Sequence, residues 1–469
     1  MQASTIAADL IPSINPATGE VSGGRERTDP SHLLRGVAQA RIAQARWAQT
    51  PISERAEKLK RLRNSILGAR NILADLIVEE SGKPRVEALF ADIFVALDTA
   101  EYFYKNAETL LRPQSVPHHS LAAKAKTGLL TYEPLGVIGI ISSWNYPLAI
   151  PIGQIIPALV AGNAVICKTS ELTPHCGAWI EKLFSFPAFP AGLVTIIQGG
   201  ADVGQALIDA TPDKIIFTGS VETGRRVAEA CGKRLIPTTM ELGGKDAMIV
   251  LADADLDVAA SGAVWGSFTN CGQVCLSVER IFVEQSVSEK FAELCVEKTK
   301  KLRLGPGSDP ATDVGPLIRP QHVERMTALI DDAEEAVTRA NRSPFALSAS
   351  VWTRDAARGK AIAAKLRAGA VMVNDAISYF AIAEAPHGGC GLSGWGRTHG
   401  KAGLLEMVQT KYIDVDRLPR RQKPWWYRYG PDLEQAADAF LQFEFANKLS
   451  TRVASARAAL RTMFRDHGL

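Results

Sequence analysis

The sequence predicts an α/β protein built on a parallel sheet that helices cover on both faces. Two patterns carry the prediction. Short apolar runs of strand length recur through the middle of the chain, and segments with apolar residues at three- and four-residue spacing separate them. Strands that alternate with helices pair in parallel through crossovers, and a parallel sheet is buried on both sides.

In order, residues 33–110 read as helical, and the stretch "ERAEKLKRLRNSILGARNILADLIVEESGKP" stops at Gly82 and Pro84. "LLTYEP" reads as a strand, and "GVIGII" as the first buried one. "AVICK", "LVTIIQ", "KIIFTG" and "DAMIVL" repeat the theme, with helical segments between them. Residues 255–268 are helical again and lead into "FTNCGQVCLSVER". The chain has no internal repeat and no low-complexity tract.

A length of 469 residues suits two large lobes or about three domains. Hydrophobic residues make up 46% and charged residues 22%, so sizeable cores are available. The net charge of +3 is too small to mark nucleic acid as a partner. The surplus is local, because residues 417–469 hold ten Lys/Arg and five Asp/Glu. The seven cysteines are Cys167, Cys176, Cys231, Cys271, Cys275, Cys295 and Cys390, with no C-x-x-C pair. An odd number in a long chain argues for a reducing compartment. No basic start with an apolar run opens the sequence, and no apolar run reaches the ~18–20 residues that span a bilayer. The expectation is a soluble, cytoplasmic protein.

No G-x-G-x-x-G follows the first strand. "FTGSVETGRR" instead puts Gly219, Ser220 and Gly224 between a strand and a helix that begins near Thr223. Free backbone N–H groups there suit a diphosphate, or the motif is a plain helix cap. Lys168 and Glu171 in "CKTSE" close another strand, where ribose hydroxyls bind in such sheets; the bland alternative is a solvated loop. Cys271 and Cys275 allow several readings. A disulfide is disfavoured by compartment, and no Cys or His completes a metal site, since His387 and His399 lie far along the chain. Buried filler remains open. So does a nucleophile, which needs a base. Glu241 in "MELGGKD" is a candidate base, with Gly243 and Gly244 permitting close approach, and Asn145 in "SWNYP" is a candidate oxyanion donor.

The segments "NPATGE", "SSWNYPL", "CKTSELTP", "FTGSVETG", "MELGGKDAMIV", "NCGQVCLSVER", "DVGPLI", "SASVWT" and "GLSGWGRTHG" together resemble the aldehyde dehydrogenase superfamily over nearly all of residues 10–417. The resemblance implies a Rossmann-like cofactor domain (1–112 and 135–243), an α/β catalytic domain (244–407), a small β-flap for oligomerisation (113–134 and 408–416) and a C-terminal extension (417–469). Cys275 matches the thiol that attacks the aldehyde. Glu241 matches the base that activates the deacylating water, and its presence argues against acyl transfer to coenzyme A. Asn145 matches the oxyanion-holding residue, with the Cys275 N–H as second donor. Lys168 and Glu171 match the adenosine-ribose contacts, and Gly219 and Ser220 the diphosphate turn. Trp144 and Gly224 complete the implied cofactor-binding set. A carboxylate at Glu171 favours NAD, with NADP as the alternative. The implied reaction oxidises an aldehyde to a carboxylic acid through a thiohemiacetal and a thioester.

The chain departs from the family near Ala333–Glu334, where two segments normally separated by a long block are joined. That block carries an "EEIFGPV"-like segment whose glutamate binds the nicotinamide ribose. Two alternatives to oxidation therefore stand: a relative impaired in hydride transfer that keeps esterase-type thiol chemistry, and a non-catalytic structural subunit. His387, where the family has an aromatic residue, reads as a surface substitution rather than a funnel residue, and Gly391 stands where lysine is frequent. Trp144, Tyr146, Val274 and Leu276 would flank the thiol and hint at an apolar or aromatic aldehyde. Pairing through the flap would give a homodimer or tetramer. In the extension, Leu449, Val453, Ala456, Leu460, Met463 and Phe464 share a helical stripe, with Trp425, Trp426 and Tyr427 upstream. A membrane-surface role is the less favoured reading of that stripe, and packing on its own domain or on a sister subunit the favoured one.

Overall fold

A computed structural model describes residues 10–120, 123–185, 189–323, 343–417 and 430–463. The junction at Ala333–Glu334 and the Trp425–Tyr427 cluster lie outside the described residues. The chain forms two compact units, one of Met1–Leu110 with Pro134–Gln409 and one of Leu111–Glu133 with Thr410–Leu469. No helix among the described residues is long and apolar enough to cross a membrane.

The larger unit opens with an antiparallel pair, Leu10–Ile14 against Val21–Glu26. The helices Leu33–Trp47, Ile52–Ser81 and Val95–Leu110 follow. Ile52–Ser81 ends where the sequence predicts, because Gly82 takes a left-handed φ of 77° and its N–H bonds the Val78 carbonyl. The third helix is entered through a π-helical turn, Ala88–Phe94. Such turns widen one side of a helix and concentrate at functional sites.

The predicted parallel sheet is present. Val137–Ile141, Ala164–Lys168, Val194–Ile197, Lys214–Thr218 and Thr238–Glu241 pair in parallel. Val137–Ile141 lies between Ala164–Lys168 and Lys214–Thr218, so the winding reverses between the two inner strands that end at Ile141 and Thr218. Ligands bind at the carboxyl ends of strands at such a reversal. The Ala149–Ala161 helix, "AIPIGQIIPALVA", is apolar all round and buried along its whole length beside this sheet. A second parallel sheet runs in the order Val278–Val283, Asp246–Val250, Ser348–Trp352, Ala370–Val373. The Leu256–Phe268 helix packs on it through Ala259, Ala260 and Ala263. A Cβ on Gly262 would meet the Trp352 ring at 2.4 Å, so only glycine allows that approach. Gly394–Trp395 returns to the first sheet, antiparallel to Thr238–Glu241.

One charged pair sits at the centre of this unit. Lys83 and Asp92 are fully buried, with Nζ 2.8 Å from Oδ2. The other Asp92 oxygen accepts the N–H groups of Leu148 and Ala149, which begin the buried helix. Lys83 also donates to the Asn145 carbonyl at 2.7 Å and lies 4.1 Å above the Tyr146 ring. The pair therefore joins the end of one helix, the π-turn and the "SWNYP" loop.

The smaller unit contains a three-stranded sheet with Lys126–Pro134 between Gln114–Val116 and Val408–Asp416. Its helices Pro431–Phe445 and Leu449–Met463 pack on one another. Leu449 and Val453 are 74% and 66% exposed, so packing on their own domain is not what covers this part of the stripe.

Removing one member of a buried pair strands the other charge. Lys83→Met should lower stability by about 3–5 kcal/mol in denaturant unfolding, and Lys83→Met with Asp92→Leu should recover most of that loss.

Candidate active site

Cys275 follows a turn that needs unusual backbone. Asn270, Cys271 and Gly272 all have positive φ, at 49°, 56° and 71°. Left-handed non-glycine residues are strained, and surrounding bonds must hold them. Glu87 does this, accepting from the Thr269 hydroxyl at 3.1 Å and the Asn270 N–H at 2.8 Å. Gln273 adds a second tether, donating to the Asn270 carbonyl and accepting from the Ile318 N–H at 2.9 Å. A Cβ at Gly244 would stand 2.5 Å from the Cys275 carbonyl, which explains the glycine: the Glu241 segment and the thiol loop touch there.

Asn145 is held by four neighbours. Its Oδ1 accepts from Ser143 at 2.8 Å, and its Nδ2 donates to the Gln273 carbonyl at 3.0 Å. Its backbone carbonyl accepts from Lys83 and Asn270. An amide NH₂ has two hydrogens, so the second remains for a ligand oxygen.

Cys275 is half-buried. Loss of water around its thiol, with the negative charges of Asp246 and Glu241 nearby, pushes the pKa up to about 12. Glu241 ends its strand as a buried carboxyl. Burial raises it well above the usual carboxylate range, partly offset by Arg397. Among the described residues neither Glu241 oxygen has a hydrogen-bond partner, an unusual state for a buried carboxyl. The His387 Nε2 lies 3.4 Å from Oε2.

His387 corrects a sequence expectation. It is 5% exposed and lines the same cavity as Cys275, not the surface. Its ring packs edge-on against Phe380 at 5.0 Å, and Nδ1 lies 3.0 Å from the Tyr379 hydroxyl. Burial, with His399 and Arg397 nearby, holds its pKa down at about 3, so the ring is neutral. His399, also buried, is held down at about 4 by burial.

A cavity of about 1090 Å³ is lined by Cys275, Glu241, Asn145, Trp144, Glu171, Gly219 and Ser220. Lys168 and Gly224, placed with them from the sequence, are not among its lining residues. Lys168 is buried behind Glu171, 3.1 Å from its carboxylate. Gly224 is inside the Val221–Gly232 helix, where a Cβ would meet Leu242 at 2.6 Å. That helix starts earlier than expected, with Ser220 as its cap accepting from the Thr223 N–H. Gly219 N–H bonds the Glu241 carbonyl at 3.0 Å, so the turn and the candidate base are fastened together.

The aldehyde dehydrogenase family model matches residues 3–335 and 329–413. The chain belongs to the aldehyde dehydrogenase family. A 4,4'-diapolycopene aldehyde oxidase from Methylomonas sp. is 33% identical over 92% of this chain and 91% of its own. A Mycobacterium ulcerans (strain Agy99) protein named "Putative succinate-semialdehyde dehydrogenase [NADP(+)] 2" is 35% identical over 81% of this chain and 84% of its own. The structure of a Bacillus cereus aldehyde dehydrogenase in complex with NAD+ superposes with a TM-score of 0.81 at 29% identity, covering 87% of this chain and 93% of that one.

As an aldehyde dehydrogenase the protein is an enzyme that oxidises aldehydes, and its relatives use NAD or NADP. The residues present fit a dinucleotide. The cavity joins the thiol to the first turn of Val221–Gly232, where unpaired N–H groups suit a diphosphate, and Glu171 offers a half-exposed carboxylate for hydroxyls. Sequence reasoning missed Lys83, Asp92, Glu87 and Gln273, which hold the site without touching its centre. Gly82 and Pro84 signal only a helix stop in the sequence, although Lys83 sits between them.

With its thiol at about 12, Cys275 should alkylate with a rate that rises about tenfold per pH unit and reaches no plateau below about pH 10. Peptide-resolved mass spectrometry with iodoacetamide measures this, and a plateau near pH 8.5 would contradict it.

Proposed function

We propose that this enzyme oxidises an apolar aldehyde to its carboxylic acid through a thioester on Cys275. The observation that carries the reading is one cavity lined at once by the thiol, the Asn145 amide, the Glu241 carboxyl and the first turn of a helix. In the first step the Cys275 sulfur bonds the aldehyde carbon while its proton passes to Glu241. Burial raises both groups, so the carboxylate is a stronger base where the thiol is a weaker acid. The second Asn145 N–H and the Cys275 backbone N–H face the new oxyanion. Hydride acceptance is the chemistry that a bound nicotinamide dinucleotide would supply, with Gly219, Ser220 and Glu171 as its holding residues. Glu241 releases its proton to water before the second step. It then takes a proton from a water whose oxygen bonds the thioester carbon, the C–S bond breaks, and the acid leaves.

Glu171 supports NAD over NADP, because its carboxylate would repel a 2′-phosphate. The exposed Val408–Asp416 strand supports pairing with a second copy. The aromatic part of the remaining lining, which also holds Arg225, Arg319, Glu279 and His322, supports an apolar substrate. Phe90 and Phe94 from the π-turn, with Tyr146, Trp265 and Phe380, form an aromatic wall. Phe90, Phe94 and Trp265 are 67%, 47% and 48% exposed, so apolar surface continues outward. The name of the Methylomonas relative, for a diapolycopene aldehyde, agrees with this, and the mycobacterial name, for an acidic aldehyde, does not.

A second reading rests on a specific observation. The two matched stretches meet at 329–335, which supports the absence of the nicotinamide-ribose segment. A nicotinamide misplaced by about 1 Å slows hydride transfer by about 100-fold. The chain would then keep thiol chemistry and hydrolyse activated esters without oxidation.

Cys275→Ala should abolish both NADH formation and ester hydrolysis. Glu241→Gln should lower turnover by about 10²–10⁴ with acyl-enzyme accumulating, and Asn145→Ala by about 10²–10³. Wild-type protein that hydrolyses 4-nitrophenyl esters through Cys275 but yields no NADH from any aldehyde favours the second reading. Across a panel, kcat/KM should favour long-chain alkanals over succinic semialdehyde by about tenfold or more, and the reverse order sinks the apolar assignment.

A further inference from the structure

The buried His387–Tyr379 pair is unused by the chemistry above, yet it stands beside Glu241 together with Arg397 and the Thr398 hydroxyl. His387 is held in place through its backbone: its N–H bonds the Thr398 carbonyl at 2.9 Å, and the Thr398 N–H bonds the His387 carbonyl at 2.8 Å. Its Nε2 faces Glu241 at 3.4 Å, slightly beyond an aligned hydrogen bond, and its Nδ1 faces the Tyr379 hydroxyl at 3.0 Å. Gly388, at φ 142°, leaves room beside Glu241, since a Cβ there would come within 3.0 Å of Oε1. Both carboxyl oxygens lack a partner among the described residues, so a small side-chain rotation that closes the 3.4 Å gap satisfies one of them.

We propose that His387, oriented by Tyr379, is a positioning residue that steadies the Glu241 carboxyl beside Cys275 in both of its protonation states. A neutral imidazole has one donor and one acceptor, and a hydroxyl serves as either. When Glu241 is ionised, Nε2–H donates to Oε2 and the Tyr379 hydroxyl donates to Nδ1. When Glu241 has taken a proton, its O–H donates to Nε2, and Nδ1–H donates to the Tyr379 oxygen. Exchange of tautomer therefore follows the base through its cycle. An aromatic hydrocarbon at position 387 would fill the space and offer neither bond.

This rests on the thioester reading of Cys275, and the test separates the two. Stopped-flow hydrolysis of 4-nitrophenyl butyrate by the full chain, with intact-mass detection of the acyl adduct, resolves acylation from deacylation. His387→Phe should keep the burst of about one acyl group per chain and slow steady-state turnover by about 10–100-fold, the scale of a misplaced base. His387→Gln, which still donates and accepts, should recover part of that loss. Tyr379→Phe removes one hydroxyl without opening the core and should slow deacylation severalfold with the burst kept. Unchanged turnover in His387→Phe, or in Tyr379→Phe should His387→Phe not fold, overturns the proposal. So does a fall in burst rate and turnover that His387→Gln does not partly reverse, which marks a purely structural role. Wild-type protein that forms no adduct on Cys275 overturns the thioester reading and this proposal together.

Discussion

The Lys83–Asp92 ion pair is the constraint on which the site depends. Two charges without solvent contact are tolerated only when every hydrogen-bonding position is used. Here Lys83 reaches Asp92, the Asn145 carbonyl and the Tyr146 ring, while Asp92 receives two N–H groups from the start of the central helix. That helix start would otherwise carry unsatisfied donors in a dry interior. The same bonds set where the Asn145 peptide lies, and so where its side chain points. Fold stability and the placement of the Asn145 amide therefore share one pair.

A second consequence of burial is chemical. Thiol, base and both histidines are displaced from their ordinary pKa values in the direction of the neutral form. Asp246, bonded to Ser348 across the second sheet, is likewise raised to about 7. A thiol displaced in this way reacts with electrophiles only to the extent that it deprotonates. The site is also strongly responsive to a ligand, since each proton that moves does so in a low-dielectric space where small displacements of charge matter. The strained Asn270–Gly272 turn adds rigidity, because Glu87 and Gln273 restrict it to one conformation.

Much of the scaffold was legible beforehand. Every apolar run read as a strand is one, and the 255–268 segment is a helix with Asp255 as its cap. Apolar periodicity reports burial directly, so elements dominated by burial are easy to see. The sequence also picked out Cys275, Glu241 and Asn145 as candidates, and all three line one cavity. It erred where environment and not residue type decides the outcome. His387 looked like a surface change because an isolated histidine carries no sign of its burial. Lys168 sits behind Glu171 and Gly224 inside a helix, placements that residue type alone does not give.

Sequence alone determined the strand–helix alternation, the chemical identity of the thiol and its partners, and their order along the chain, because these are local properties of residue type and spacing. Tertiary structure decided which groups lose water. Lys83 lies between a glycine and a proline in a helix-ending motif, and nothing local says that its ammonium closes under Asn145. Tyr379 and His387 are eight residues apart and lie far from Glu241 in sequence, yet they converge beside it. Burial and convergence depend on contacts between distant segments, and those exist only once both sheets are packed.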